Sequence, residues 1–337
     1  MLKLQHFPSA IPQRPMGHYA HIVLLRETDS YALFQTDGEL NTARVRAGQQ
    51  EQELITRLTM FKRKQTTPER LVGRELLRHY GLISPDAYDD KAKVTADKAG
   101  RPICDYNVRF CMQCPDCITY GFAIGDSGAE KSKVFSDTAY SLTAYEQSHE
   151  AFTLNAPYES GSMSRAGVVT SRINEQDHVR PQTLFPAIVT IRDATSALFF
   201  YVLNNLLRTR RYGAQTTRTG TMSNHLVAIV LADGEISSNL RITQALFDAL
   251  KRQDAIAPAQ PVDPQAALSE LGTLLPNLLA EQNGPVVEQL LQGAELSTFL
   301  AQLPLNKSDE GLRELLASAM RDSKAYYSAY LEKKGKK

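Results

Sequence analysis

The stretch from Phe185 to Leu231 sets the tightest limit on how this chain can fold. Ala187-Ile188-Val189-Thr190-Ile191 is a short apolar run of the kind that makes a buried strand. Asp193 stands where a helix N-cap is expected, and Leu198, Phe199, Val202, Leu203 and Leu206 follow at helical spacing. A loop from Arg208 to Met222 then leads into a second apolar run, Leu226-Val227-Ala228-Ile229-Val230-Leu231. Strand, helix and strand in succession call for a sheet with a helix laid on it. Near the start, Tyr19-Ala20-His21-Ile22-Val23-Leu24-Leu25-Arg26 reads as another buried strand. Tyr31-Ala32-Leu33-Phe34-Gln35 is expected as its hairpin partner across Thr28-Asp29-Ser30. The fold class is α+β, with a ferredoxin-like, RRM-like core.

The remaining segments divide around that core. Residues 1–83 and 184–250 are its two halves, and residues 84–130 and 131–183 are insertions between them. The first is a metal-binding segment and the second a thumb or hairpin. A helix is expected from Thr67 as cap and Pro68 in the first turn to a stop at Gly81. Val72, Gly73, Leu76, Leu77 and Tyr80 form its buried face, and Arg70, Arg74 and Arg78 form a basic stripe elsewhere. Leu54 to Lys62 is apolar without a decisive period. A Pro/Ala linker, residues 257–264, precedes a helical bundle over 264–332, with stripes at Leu268, Leu271, Leu274, Leu275 and Leu278 and at Leu312, Leu315, Leu316 and Met320. A lysine-rich tail ends the chain. The N-terminal residues lack a secretory apolar core, and no apolar run approaches the roughly 20 residues that cross a bilayer. A cytoplasmic protein without a membrane partner is expected.

All four cysteines lie close together: Cys104, Cys111, Cys114 and Cys117. The CxxCxxC spacing lets soft thiolates converge on one cation. Structural zinc is the first expectation. An iron–sulfur cluster and four reduced cysteines without metal stay open. Whichever metal is held, a full thiolate shell leaves no vacant position for chemistry.

Net charge is only +1, but it is unevenly spread. From Ala194 to Ala232 there is no Asp or Glu, while Arg208, Arg210, Arg211 and Arg218 stand in one loop with Tyr212, two glycines and several hydroxyls. Guanidiniums and backbone N–H groups suit phosphate, and Tyr212 is a candidate for stacking on a base. Lys62, Arg63 and Lys64, with Arg70 and Arg74, form a second basic group, and Asn41 and Arg44 follow the first hairpin. The loop is not a P-loop, since GxxxxGK[ST] is absent. No histidine pair has metal spacing, and no GxSxG, GxGxxG or Cys–His signature occurs. His21 and His225 read as satisfied strand residues. Asp37 is the one candidate for assisting a phosphodiester cleavage; Asp37-Gly38 reads first as a turn.

Phe185-Pro186-Ala187-Ile188-Val189-Thr190-Ile191-Arg192-Asp193-Ala194-Thr195 and the segment Tyr201 to Ala214 resemble the Cas-seven backbone family of CRISPR Cascade complexes in its type I-D form. Asn224 to Asn239 and the helix Arg70 to Arg78 fit the same family. The resemblance implies a non-enzymatic scaffold whose copies polymerise along a crRNA, holding its phosphates and leaving its bases to pair with target DNA. It implies other complex subunits as partners, and a thumb within 131–183 carrying Tyr140, Tyr145, Phe152, Tyr158 and Met163. Backbone subunits of type III complexes cleave target RNA with a loop aspartate, which leaves a nuclease role for Asp37 as the alternative. A free-standing single-stranded RNA-binding protein is the other.

Overall fold

The computed structural model describes residues 1–86, 95–124, 128–153, 164–165, 168–169, 175–213, 215–257, 260–281, 284–303 and 309–332. Five strands make the central sheet: β1 (Tyr19–Thr28), β2 (Val134–Ser136), β3 (Leu184–Arg192), β4 (Met222–Ala232) and β5 (Val287–Gln292). Their order is β5-β4-β1-β3-β2, and every neighbouring pair is antiparallel. Seven helices are used below: α1 (Lys62–His79), α2 (Pro115–Tyr120), α3 (Ser196–Arg208), α4 (Asn239–Arg252), α5 (Pro264–Ala280), α6 (Gly293–Gln302) and α7 (Asp309–Tyr326).

The sheet is covered on both faces, which explains the unbroken apolar runs in β1 and β3. Ile22, Leu24, Val189, Ile191, Ile229 and Leu231 face one core with α1, α3, α6 and α7. Val23, Leu25, Ile188, Ala228 and Val230 face the opposite core, where Leu246 and Leu250 of α4 and Leu271 and Leu275 of α5 meet them. Each Val, Leu or Ile among them contributes about 1.5–3 kcal/mol when fully buried.

His21 lies within this apolar strand and is fully buried, its Nδ1 2.8 Å from Thr190 Oγ1 and its Nε2 2.9 Å from Gly234 O. Burial pushes its pKa down to about 4, so the folded chain keeps the ring neutral. Between pH 6.5 and 4 the unfolded chain binds a proton that the folded chain refuses, and stability falls with pH across that window by about 3 kcal/mol. Urea unfolding from pH 7 to 4 is expected to show this loss, with a flatter dependence in His21→Asn. Equal slopes in the two proteins would contradict it.

Several local expectations are corrected. Tyr31–Gln35 is not the hairpin partner of β1, because β3 and β4 already occupy both edges of that strand. The segment crosses away instead, with Ala32 bridging Val179 and Leu33 bridging Gly213. Asp37 and Gly38, with φ of 54° and 90°, close a two-residue hairpin between Gln35–Thr36 and Glu39–Leu40. Leu54–Met60 is a strand, paired with Thr42–Arg46 and with Ala139–Tyr140. Helix α1 begins at Lys62, five residues before the expected cap, and Pro68 lies inside it. Its end is as read, with Gly81 at φ 68° and its N–H on Arg78 O. Asp193 does not cap α3. Thr195 does, its hydroxyl accepting from Leu198 N–H, while Asp193 turns back to receive the N–H groups of Met16 and His18.

Residues 264–332 spread around the sheet. Helix α5, capped by Asp263, lies on one face, α6 and α7 lie on the other, and β5 between them extends the sheet beside β4. In the expected thumb, Tyr140 and Tyr145 belong to the small sheet and helical turn at its base. His149–Thr153 pairs with Glu175–Val179, placing Phe152 on that ribbon. Tyr158 and Met163 lie outside the described residues, as do Pro258 and Ala259 of the linker and the lysine tail. Among the described residues no helix is long and apolar enough to cross a membrane.

Candidate metal centre and nucleic-acid interface

The four cysteine sulfurs converge. All lie within 4.8 Å of one another and all four residues are buried. Sγ–Sγ distances are 3.5 Å for Cys104–Cys117, 3.8 Å for Cys104–Cys114 and 4.0 Å for Cys111–Cys117. A tetrahedron with zinc–sulfur bonds of about 2.3 Å has edges of about 3.8 Å, so the spacing and the soft donors fit zinc. Met112, at φ 61°, turns the chain between Cys111 and Cys114, and Cys114 caps α2 by accepting from Cys117 N–H at 3.5 Å. Cys111 N–H donates to Cys104 Sγ at 3.4 Å. Burial raises the thiols of Cys111 and Cys114, whereas Cys104 is held down by the hydrogen bonds it receives from the other three.

Arg70 and Arg74 do not form an exposed basic stripe. They turn inward onto Asp116, the residue just before Cys117. Arg70 Nε and Nη2 each donate to that carboxylate at 2.9 Å, and Arg74 Nε does so at 2.8 Å. Arg74 is fully buried and Arg70 nearly so, with side-chain exposures of 0% and 11%. Burial works against the Arg74 charge, but Asp116 and the cysteines more than offset it. Both residues are therefore removed from the RNA-binding set. Spacing on α1 showed that they share a face but not what lies opposite.

The basic loop between α3 and β4 is pinned at both of its ends. Met222 N–H donates to Arg210 O (2.7 Å), Gly220 N–H to Tyr31 O (2.6 Å), and the Thr219 hydroxyl to Tyr212 O (2.9 Å). Gly213 N–H donates to Lys64 O (3.3 Å), the carbonyl that Pro68 cannot serve for want of an N–H. Gly213 has φ 94°, and a Cβ there would lie 2.1 Å from Leu33 O, so only glycine fits.

Tyr212 is also a correction. It is fully buried, so it cannot stack on a base. Its hydroxyl donates to Glu69 Oε1 (3.2 Å) and accepts from Asn224 Nδ2 (2.8 Å). Arg26 Nη2 donates to the same Glu69 oxygen (3.1 Å), and its Nη1 donates to Asn224 Oδ1 (3.1 Å). Burial pushes the Glu69 carboxyl up and Arg26 pulls it back. The paired guanidinium and phenol, both donors, favour the ionised carboxylate. This buried network under the loop went unread in the sequence. The only trace of it is an arginine, Arg26, at the end of an apolar strand.

What the loop exposes is cationic. Arg208, Arg210, Arg211 and Arg218 are exposed, and Lys62 and Arg63 are exposed at the α1 start, which touches the loop through Lys64. Arg208 Nε donates to Asn204 Oδ1, Arg211 Nη1 to Thr219 O and Arg218 Nη1 to Gln215 Oε1, each leaving further N–H donors unused. Arg210 lies 3.7 Å from Asp29, a weak rim pair. Asn41 follows the Gln35–Leu40 hairpin and accepts from the Thr36 hydroxyl, and Arg44 is exposed in the strand Thr42–Arg46 beyond it. Guanidiniums on a backbone-pinned loop lose little freedom on meeting a phosphate.

A profile of the family described as Csc2 Crispr matches residues 6–316. The chain belongs to the Csc2 CRISPR family. The match runs from His6 into α7 and takes in the central sheet, the cysteine centre and the basic loop. Among curated proteins none matches. The crystal structure of Thermofilum pendens Csc2 is similar in fold, with a TM-score of 0.62 at 15% identity over 97% of this chain and 95% of that one. A chain of a CRISPR RNA-guided surveillance complex aligns over 90% of this chain and 98% of its own at 11% identity and TM-score 0.46. A pre-nicking surveillance complex gives 90% and 100% at 12% and 0.49.

Proposed function

We propose that this chain is a non-catalytic crRNA-binding backbone subunit of a type I-D CRISPR effector complex. Copies line up along the guide with other subunits and present its bases to target DNA. Membership of the Csc2 family over residues 6–316 carries the reading. The succession β1-α1-β2-β3-α3-β4 with strand order β4-β1-β3-β2 supports an RRM-like core. Many RRMs stack bases on an open sheet face. Here α4 and α5 cover that face, so RNA is left to the loops at the sheet's rim, where the exposed arginines stand. The cysteine centre is read as structural zinc. Bound there, zinc would cross-link the Cys104–Cys117 loop through four thiolates.

The test is RNA binding by a variant with Arg208, Arg210 and Arg211 all replaced by alanine. Affinity is expected to fall alike for unrelated single-stranded sequences. The log–log salt slope should flatten by about 2, from three lost phosphate contacts at about 0.7 each. Loss confined to one sequence would favour a free-standing sequence-specific RNA-binding protein. Cleavage abolished by Asp37→Asn with binding intact would favour the nuclease.

A further inference from the structure

Arg74 touches two parts of the cysteine loop at once. Its Nη1 lies 3.2 Å from Cys104 Sγ and its Nη2 3.9 Å from Cys117 Sγ, while its Nε is bonded to Asp116. Arg70 holds the same carboxylate with two N–H groups and reaches Gly121 O at 2.9 Å. Four thiolates around a divalent cation carry a net charge of −2, which is costly to bury without compensation. Two guanidiniums against one carboxylate supply a net positive charge beside that cluster, and the N–H groups of Cys111 and Cys117 point at its sulfurs. All of these side-chain cations come from α1.

Helix α1 has little room to shift. Gly73 packs so closely on α3 that a Cβ would lie 2.3 Å from Asn205 Nδ2 and 2.4 Å from Tyr201 Oη. Glu69, beside Arg70 in the chain, anchors the Tyr212 network, and Lys64 O receives Gly213 N–H. Helix α1 thus carries two separate sets of hydrogen bonds, Arg70 and Arg74 to the cysteine loop and Glu69 and Lys64 O to the basic loop, joined through the helix itself.

We propose that Arg74 and Asp116 are positioning residues of the cysteine centre, and that through α1 they couple its zinc occupancy to the order of the basic loop. The inference rests on reading the cluster as a zinc site, and its test uses no RNA, so it stands or falls apart from the RNA-binding role. Zinc release to a chelator is measured for the full chain and for Arg74→Met and Asp116→Asn. Amide hydrogen exchange is then followed with and without zinc. Zinc affinity is expected to fall about 10–100-fold in the variants, as for other residues that hold metal ligands in place, and release to quicken with it. On zinc removal the amides of Gly213, Gly220 and Met222 should lose protection while that of Val23 in the central sheet keeps it. Wild-type release rates in both variants overturn the proposal, as does loop protection indifferent to zinc, or a chain that takes up none. Should Arg74→Met fail to fold, Asp116→Asn and zinc removal from the wild type carry the test.

Discussion

Replacing Cys114 by serine is expected to give a chain that retains no zinc and melts several degrees lower, measured by metal analysis of the purified protein and by thermal unfolding. Cys114 is fully buried and supplies both a sulfur to the cluster and the cap of α2. Serine offers a harder, shorter donor in a site built for thiolates. Structural zinc binding in small domains is worth about 10–16 kcal/mol at neutral pH, so even a small fraction of that dominates single-residue effects. The damage should not stay in the insertion. Cys114, Cys117, Ile118, Tyr120 and Phe122 pack in the same core as Leu198, Leu206 and Leu316, so freeing the loop exposes one side of the main core. A variant that retains one zinc and the wild-type melting temperature would count against the metal reading.

Glu69→Ala is expected to destabilise the chain strongly although it touches neither a cysteine nor the surface. It strands Arg26 in the core and leaves the Tyr212 hydroxyl without its acceptor. Removing one partner of a buried ion pair costs about 3–5 kcal/mol, whereas replacing both by apolar groups of similar size is often near neutral. Arg26→Met combined with Glu69→Leu is therefore expected to unfold in urea closer to wild type than either single variant does. Additive losses in that double-mutant cycle would show that the two charges do not depend on each other.

How much could be read beforehand follows from what kind of signal each feature leaves. The apolar periods of α3 and β1 and the close cysteines are local patterns, and they were legible. Partners far apart in the chain were not. Tyr31–Gln35 looked like a hairpin return because neighbouring segments often pair, but Phe185 and its neighbours had a longer apolar edge to offer β1. Arg70, Arg74 and Arg78 share one helix face, yet only Arg70 and Arg74 meet Asp116, and Arg78 remains half-exposed. Tyr212, placed in a polar loop, gave no sign that Glu69 and Asn224 wait beneath it. β5 escaped notice because Val287–Gln292 is an edge strand with only Leu291 fully buried.

The sheet's connectivity bears on how the chain is made. Tyr19 sits opposite Arg192 on one side and Ala232 on the other, so the central strand finds neither neighbour until most of the polypeptide exists. At translation rates of about 5–20 residues per second, β1 waits roughly 10–30 s for β3. Such distant pairings also slow folding itself, since long loops must close before any ladder forms. During that interval an apolar strand with two open edges has no native partner, and the nascent chain, rather than the finished protein, is the species most exposed to aggregation.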